Sequence, residues 1–153
     1  MSNYEEYERR EFFRKRLETL VEETDIPKYE LVKKIGISQT TLSKALMYGI
    51  IPKTKTLILI ADYFNTSLDY LLCKTDDPVF YGALNRKTFY ERLQELKTRK
   101  GFTTNYALAQ DSHLPRQFFY DWEKNHHLPS VDVLEYLSEY FEVSLDYLLG
   151  RSD

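Results

Sequence analysis

The stretch Leu31-Val32-Lys33-Lys34-Ile35-Gly36-Ile37-Ser38-Gln39-Thr40-Thr41-Leu42-Ser43-Lys44-Ala45-Leu46 decides how the chain is read. Leu31, Val32 and Ile35 recur at helical spacing and predict a short helix with one apolar stripe. Gly36 can take the left-handed backbone that closes a helix at little cost. Ile37 is expected to tuck under the turn. Ser38, a preferred N-cap, starts a second helix. Leu42, Ala45 and Leu46 form the inner face of that helix, and Gln39, Thr40, Thr41, Ser43 and Lys44 point outward. The outer face is polar, short-chained and free of carboxylates, so it can enter a groove of DNA and hydrogen-bond base edges.

These residues resemble the helix-turn-helix of the lambda-repressor/Cro-like (XRE-type) family of DNA-binding domains. The resemblance extends through Pro52 to Thr66-Ser67-Leu68-Asp69-Tyr70-Leu71-Leu72. That run is similar to the "VSLDYLLG" ending common in the family. The resemblance implies a five-helix domain and double-stranded DNA as partner. It also implies a bacterial, phage or mobile-element repressor that dimerises to place two reading helices about one DNA turn apart. Lys28 falls where the family often touches a phosphate. The chain departs from the pattern at Ala45-Leu46-Met47-Tyr48, where the family usually carries Trp-Glu-Asn-Gly.

Upstream, residues 2 to 23 read as one long helix opened by the capping-box pair Ser2 and Glu5. Phe13, Leu17, Leu20 and Val21 supply its inner face. Its first turns, with Tyr4, Tyr7, Phe12 and Phe13, exceed what the family needs. They are open to two readings, a packing surface or a solvated charged extension. Pro27 suits the first turn of the next helix. Downstream, Lys53-Thr54-Lys55-Thr56 opens a fourth helix with Leu57, Ile60, Ala61, Tyr63 and Phe64 as its core stripe, and Ser67 caps a short fifth.

Residues 74 to 87 read as a linker expected to lie against a domain, and then the pattern begins again. Thr88 and Glu91 repeat the capping box. Leu93 and Leu96 follow Leu17 and Leu20 at an offset of 93 − 17 = 76. Pro129 follows Pro52 at 129 − 52 = 77, and Ser144-Leu145-Asp146-Tyr147-Leu148-Leu149 repeats Ser67 to Leu72 at the same 77. One residue is inserted between Gly101 and Asn105. A near-identity at matched position points to two copies of one domain. The expected organisation is residues 1–73, a linker 74–87, and residues 88–153, all-α, as two tandem five-helix lambda-repressor-like domains with an extended N-terminal helix.

The copies differ where DNA would be read. Arg116, Gln117, Tyr120 and Asp121 stand in place of Gln39, Thr40, Ser43 and Lys44. Between Ile26 and Lys55 there are six lysines against Glu30, a balance of +5. Between Phe102 and Asp132, Arg116 and Lys124 face Asp111, Asp121, Glu123 and Asp132, a balance of −2. Phosphate neutralisation drives binding, so the signs predict a stronger reader in the first copy. There the candidate DNA-binding residues are Lys28, Ser38, Gln39, Thr40, Thr41, Ser43, Lys44, Lys53 and Lys55. In the second they are Arg116, Gln117, Tyr120 and Lys124. The aromatic second copy, with Phe118, Phe119, Tyr120, Tyr136 and Tyr140, is open to two readings. One is a weak or differently specific reader. The other is a dimerisation or partner module.

Composition narrows the rest. The net charge of −3 argues mildly against nucleic acid until the local +5 is noticed. One cysteine, Cys73, excludes an internal disulfide and fits a reducing compartment. No apolar run approaches the ~20 residues of a membrane span, and the polar start Met1–Glu6 does not read as a signal peptide. The expectation is a cytoplasmic protein. His113, His126 and His127 lack partners at metal-ligand spacing. No nucleophile–base pattern or phosphate loop is present, so neither enzyme activity nor a cofactor is expected. Asp62, Asp69 and Asp146 read as caps or surface carboxylates. The rival to a DNA-binding repressor is a protein-interaction module that keeps the fold, such as an antirepressor.

Overall fold

Ser2 and Glu5 cap each other's backbone and open α1 (Asn3–Glu23). The structure, a computed structural model, describes residues 2–153. Among these the chain forms ten helices and no strand. After α1 come α2 (Lys28–Ile35), α3 (Gln39–Tyr48), α4 (Thr54–Phe64) and α5 (Leu68–Leu71). Then follow α6 (Phe89–Arg99), α7 (Asn105–Ser112), α8 (Arg116–Lys124), α9 (Val131–Phe141) and α10 (Leu145–Leu148). The chain divides into two compact units, Met1–Phe80 and Tyr81–Asp153, with five helices in each. The segment read as one linker is shared between them. Thr75 and Asp76 bind Arg16 in unit 1, whereas Ala83 and Lys87 donate backbone N–H groups to Arg151 and Gly150 in unit 2.

In unit 1, α1 packs against α3 and α5, and α2 against α3 and α4. One leucine from each helix meets in the centre: Leu17, Leu31, Leu42, Leu57 and Leu68 are all buried. Phe13 belongs to this core rather than to the exposed turns before it; Tyr4, Tyr7 and Phe12 are exposed. Leu20, Leu46, Tyr63 and Phe64 are only half-buried, each at the edge of its helix's apolar stripe. Pro27 stands one residue earlier than expected, as the N-cap of α2, where its extended backbone sets the helix direction.

α5 is a single turn, too short to persist alone. Three features hold it. Ser67 caps it, Leu68 and Leu71 anchor it, and Arg16 of α1 reaches over its end. The Arg16 guanidinium lies 4.0 Å above the Tyr70 ring and donates to the carbonyls of Tyr70 (2.8 Å) and Thr75 (2.9 Å). Unit 2 repeats the device at the offsets read from the sequence. Arg92 lies 3.8 Å above Tyr147 and donates to the carbonyl of Ser152 at 3.0 Å. Unit 2 adds a buried ion pair between Asp146 and Arg151. Asp146 is therefore not the surface carboxylate expected of it: it is 3% exposed because the neighbouring guanidinium compensates its burial.

The backbone repeats too. Every described residue with a left-handed φ has a counterpart at the same offsets: Asp25 and Gly101, Gly36 and His113, Gly49 and His126, Asn65 and Glu142, Cys73 and Gly150. Each pair closes a helix or opens a turn at the same place in its unit. Cys73 donates its thiol to the Phe12 carbonyl. Burial pushes that thiol above its ordinary range, with Arg16 pulling the other way and Asp76 reinforcing the rise, so it lacks the thiolate character of a reactive cysteine.

Arg92→Ala removes the stacking, the carbonyl contact and the packing over Tyr147 together. The expected loss is about 2–3 kcal/mol, in the range of charged hydrogen bonds. Trp122, the sole tryptophan, lies buried in the same unit and reports that loss as a lowered urea midpoint in fluorescence.

Candidate nucleic-acid interface

α2 ends where Gly36 turns left-handed (φ 88°), and the N–H groups of Gly36 and Ile37 both return to the Val32 carbonyl at 2.9 and 3.1 Å. Two residues later Ser38 caps α3. Its Oγ accepts from the Thr41 N–H at 3.1 Å and lies 2.8 Å from Thr41 Oγ1. The turn therefore fixes the start of α3 with bonds made only by local residues. Leu42 and Ala45 are buried beneath it.

Of the outward residues, Gln39, Thr40 and Lys44 are fully exposed, whereas Thr41 and Ser43 are half-buried. The hydroxyls of Ser38 and Thr41 are engaged with each other. Lys28 stands at the start of α2, and Lys53 and Lys55 at the start of α4. All three are exposed, as is Lys44, and none has a carboxylate partner among the described residues. Lys34 pairs loosely with Glu30 at 4.0 Å.

A further feature escaped sequence reasoning. Neither α2 nor α4 has a side chain closing its N-terminus: Pro27 and Lys53 occupy the cap positions and make no side-chain cap hydrogen bond, and in α2 the Glu30 N–H turns back to the Pro27 carbonyl at 3.0 Å. Helix N-termini with open amides carry a partial positive charge and suit anions. The counterparts in unit 2 are closed, since Thr104 accepts from Ala107 at the start of α7 and Ser130 from Val133 at the start of α9. The signal lay in the residue types at the cap positions, proline and lysine in one unit against threonine and serine in the other.

Three of the four predicted reading residues of unit 2 have partners within the unit. Arg116 stacks 5.0 Å from the Tyr106 ring. Gln117 donates to Asp121 at 3.3 Å, and Asn125 donates to the same oxygen at 3.0 Å. Lys124 lies 3.9 Å from Glu123. Tyr120 is exposed at 54%. Phe118 is half-buried against Trp122, which also meets Phe89 and Phe119. Where unit 1 buries Ala45 in α3, unit 2 buries this aromatic cluster.

Residues 17–71, from α1 to the end of α5, match the sequence model of the Helix-turn-helix family. They form a helix-turn-helix domain within unit 1. Among curated proteins the chain is similar to the HTH-type transcriptional activator BcrR of Enterococcus faecalis, with 34% identity over 65 residues. Those residues are 42% of this chain and 31% of that relative, so the chain spans less than a third of the relative's length. No solved structure matches the chain. Among the described residues, no helix is long and apolar enough to cross a membrane.

Ser38→Ala deletes the cap that starts α3. The expected cost is about 1 kcal/mol, seen as a fall of about 4–8 °C in the melting temperature of a unit this size, with Ser38→Thr retaining most of the stability.

Proposed function

We propose that the chain is a sequence-specific regulator of transcription that binds double-stranded DNA through unit 1. One observation carries this reading. Two helix N-termini without a side-chain cap, one beside Lys28 and the other beside Lys53 and Lys55, bracket a carboxylate-free helix face in the unit that matches the helix-turn-helix family. In the mechanism, α3 enters the major groove. Gln39, Thr40 and Lys44 meet base edges, with the Ser43 hydroxyl and the Thr41 methyl beside them. The first-turn amides of α2 and α4, with Lys28, Lys53 and Lys55, hold phosphates on either side. Phosphate contacts set register, and the α3 face sets sequence. Such a protein works in the compartment that holds the DNA, the bacterial cytoplasm.

Unit 2 is read as a second copy of the same domain that no longer reads DNA. The repeated helices and left-handed positions support the duplication. The closed N-termini, the −2 balance and the committed Arg116 and Gln117 support the loss of reading. Its exposed Tyr106, Tyr120 and Tyr136 suit protein contact. One reading helix offers few base contacts, so the working form is a homodimer with one reader per chain. BcrR is named an activator; the same DNA contact serves repression when it excludes another protein from the site, and repression is the mode proposed.

Selection from random duplexes at two salt concentrations tests this. The expected outcome is one palindromic motif whose affinity falls steeply with salt. An asymmetric motif would assign reading to both units, and no enrichment at low salt would reject DNA reading. On the selected duplex, Gln39→Ala costs about 1–3 kcal/mol and relaxes one base position. Lys28→Ala weakens all sequences alike and lowers the salt slope by about 1. Arg116→Ala leaves both unchanged.

A further inference from the structure

The family match begins at Leu17, so the first turns of α1 lie outside it. Unit 2 has no equivalent. There α6 begins at Phe89, the counterpart of Phe13, and the residues just before it are not helical. The role of the extra turns is visible at Arg10, whose backbone lies against Gly49, the residue that ends α3. A Cβ on Gly49 would stand 2.3 Å from the Arg10 carbonyl oxygen and 2.8 Å from its carbonyl carbon. No side chain fits there unless α1 or α3 moves, because the obstacle is backbone. Gly49 is itself left-handed (φ 67°), with its N–H on the Ala45 carbonyl at 3.0 Å. Its counterpart His126 has the same left-handed backbone (φ 55°) and an exposed side chain. The two differences go together: the unit with the extension carries glycine, and the unit without it carries histidine.

We infer that the N-terminal extension of α1 is a brace for the reading helix. The Arg10 carbonyl seated on Gly49 fixes the C-terminal end of α3, as the Ser38 cap and its turn fix the other end. A helix held at both ends presents its outer face without further ordering when DNA arrives, which lowers the entropic cost of binding. Arg10 and Gly49 are positioning residues and touch no base. The inference rests on the reading of unit 1 as the DNA-binding unit.

The full chain provides its own control. Gly36, at the other end of the same motif, is also left-handed (φ 88°), but a Cβ there would meet nothing within 4 Å. Gly36→Ala and Gly49→Ala therefore both carry a left-handed backbone cost, and only Gly49→Ala adds the clash with α1. Gly49→Ala is expected to weaken binding of the selected duplex about tenfold per folded molecule. It also speeds hydrogen exchange of the last-turn amides of α3 about tenfold, with the amides of α4 unchanged. Gly36→Ala carries the backbone cost without the clash, so its losses are about threefold, smaller than those of Gly49→Ala on both readings. Should either alanine variant fail to fold, Gly49→Asn against Gly36→Asn gives the same ordering, since asparagine tolerates left-handed backbone while keeping a Cβ. Equal losses at the two glycines, or α3 exchange unchanged by Gly49→Ala, overturn the brace. If the wild-type chain binds no duplex, the DNA reading fails, and the exchange measurement still decides the brace.

Discussion

A single-turn helix at the end of a five-helix unit is a weak point, and the closure of the first helix onto it is the constraint on which the rest depends. α5 contributes two buried leucines and little else. Its position is set because the Arg16 guanidinium both stacks on Tyr70 and binds carbonyls on either side of the exit turn. Arginine suits this role through its planar head and several donors; a lysine could not stack and fork at once. With α1 tied at that point, its axis is fixed relative to the core. The same helix then reaches the end of α3 less than two turns earlier, at Arg10. What looks like two separate features, a terminal staple and a contact on the reading helix, are two ends of one lever.

Much of this was legible in the sequence, and the reasons differ by feature. The helices declared themselves through period and caps: Ser2, Ser38, Ser67, Thr88 and Ser144 each cap the helix they were expected to open. Caps are local chemistry between residues three apart, so the sequence contains the whole interaction. The core stripes were legible for the same reason, save at their edges, where Leu20 and Leu46 are half-buried and periodicity alone cannot say how wide a neighbour's shadow falls. Asp146 was misread because its partner's burial comes from the packing of the whole unit. The staple and the Arg10–Gly49 contact were out of reach, since both join residues distant in sequence through backbone carbonyls, which look alike at every position. On the outward face of α3, the exposure of Gln39, Thr40 and Lys44 was legible from helical spacing. The open N-termini of α2 and α4 were not singled out, although proline and lysine at cap positions carry that information.

The two units treat matching places in the fold differently. Unit 2 closes two helix N-termini with hydroxyls, stacks Arg116 on Tyr106, and spends Gln117 on Asp121. Each change satisfies within the unit a polar group that its counterpart leaves for solvent or a partner. Beneath α8 the small Ala45 gives way to Trp122, packed on Phe89 and Phe119. A larger aromatic core and internally satisfied polar groups favour stability, whereas open amides and unpaired lysines favour binding. The same stability–function opposition is seen where binding sites leave groups unsatisfied.

Charge placement completes the argument. The segment Ile26–Lys55 carries +5 in a chain of −3, so the remainder carries −8. Non-specific association with DNA scales with the phosphates a protein can neutralise in any orientation. A uniformly basic protein would bind everywhere and dilute itself over the genome. On the proposed DNA reading, an acidic remainder penalises orientations other than the one that presents the basic face, so the long-range field would select the docking pose before any base is touched.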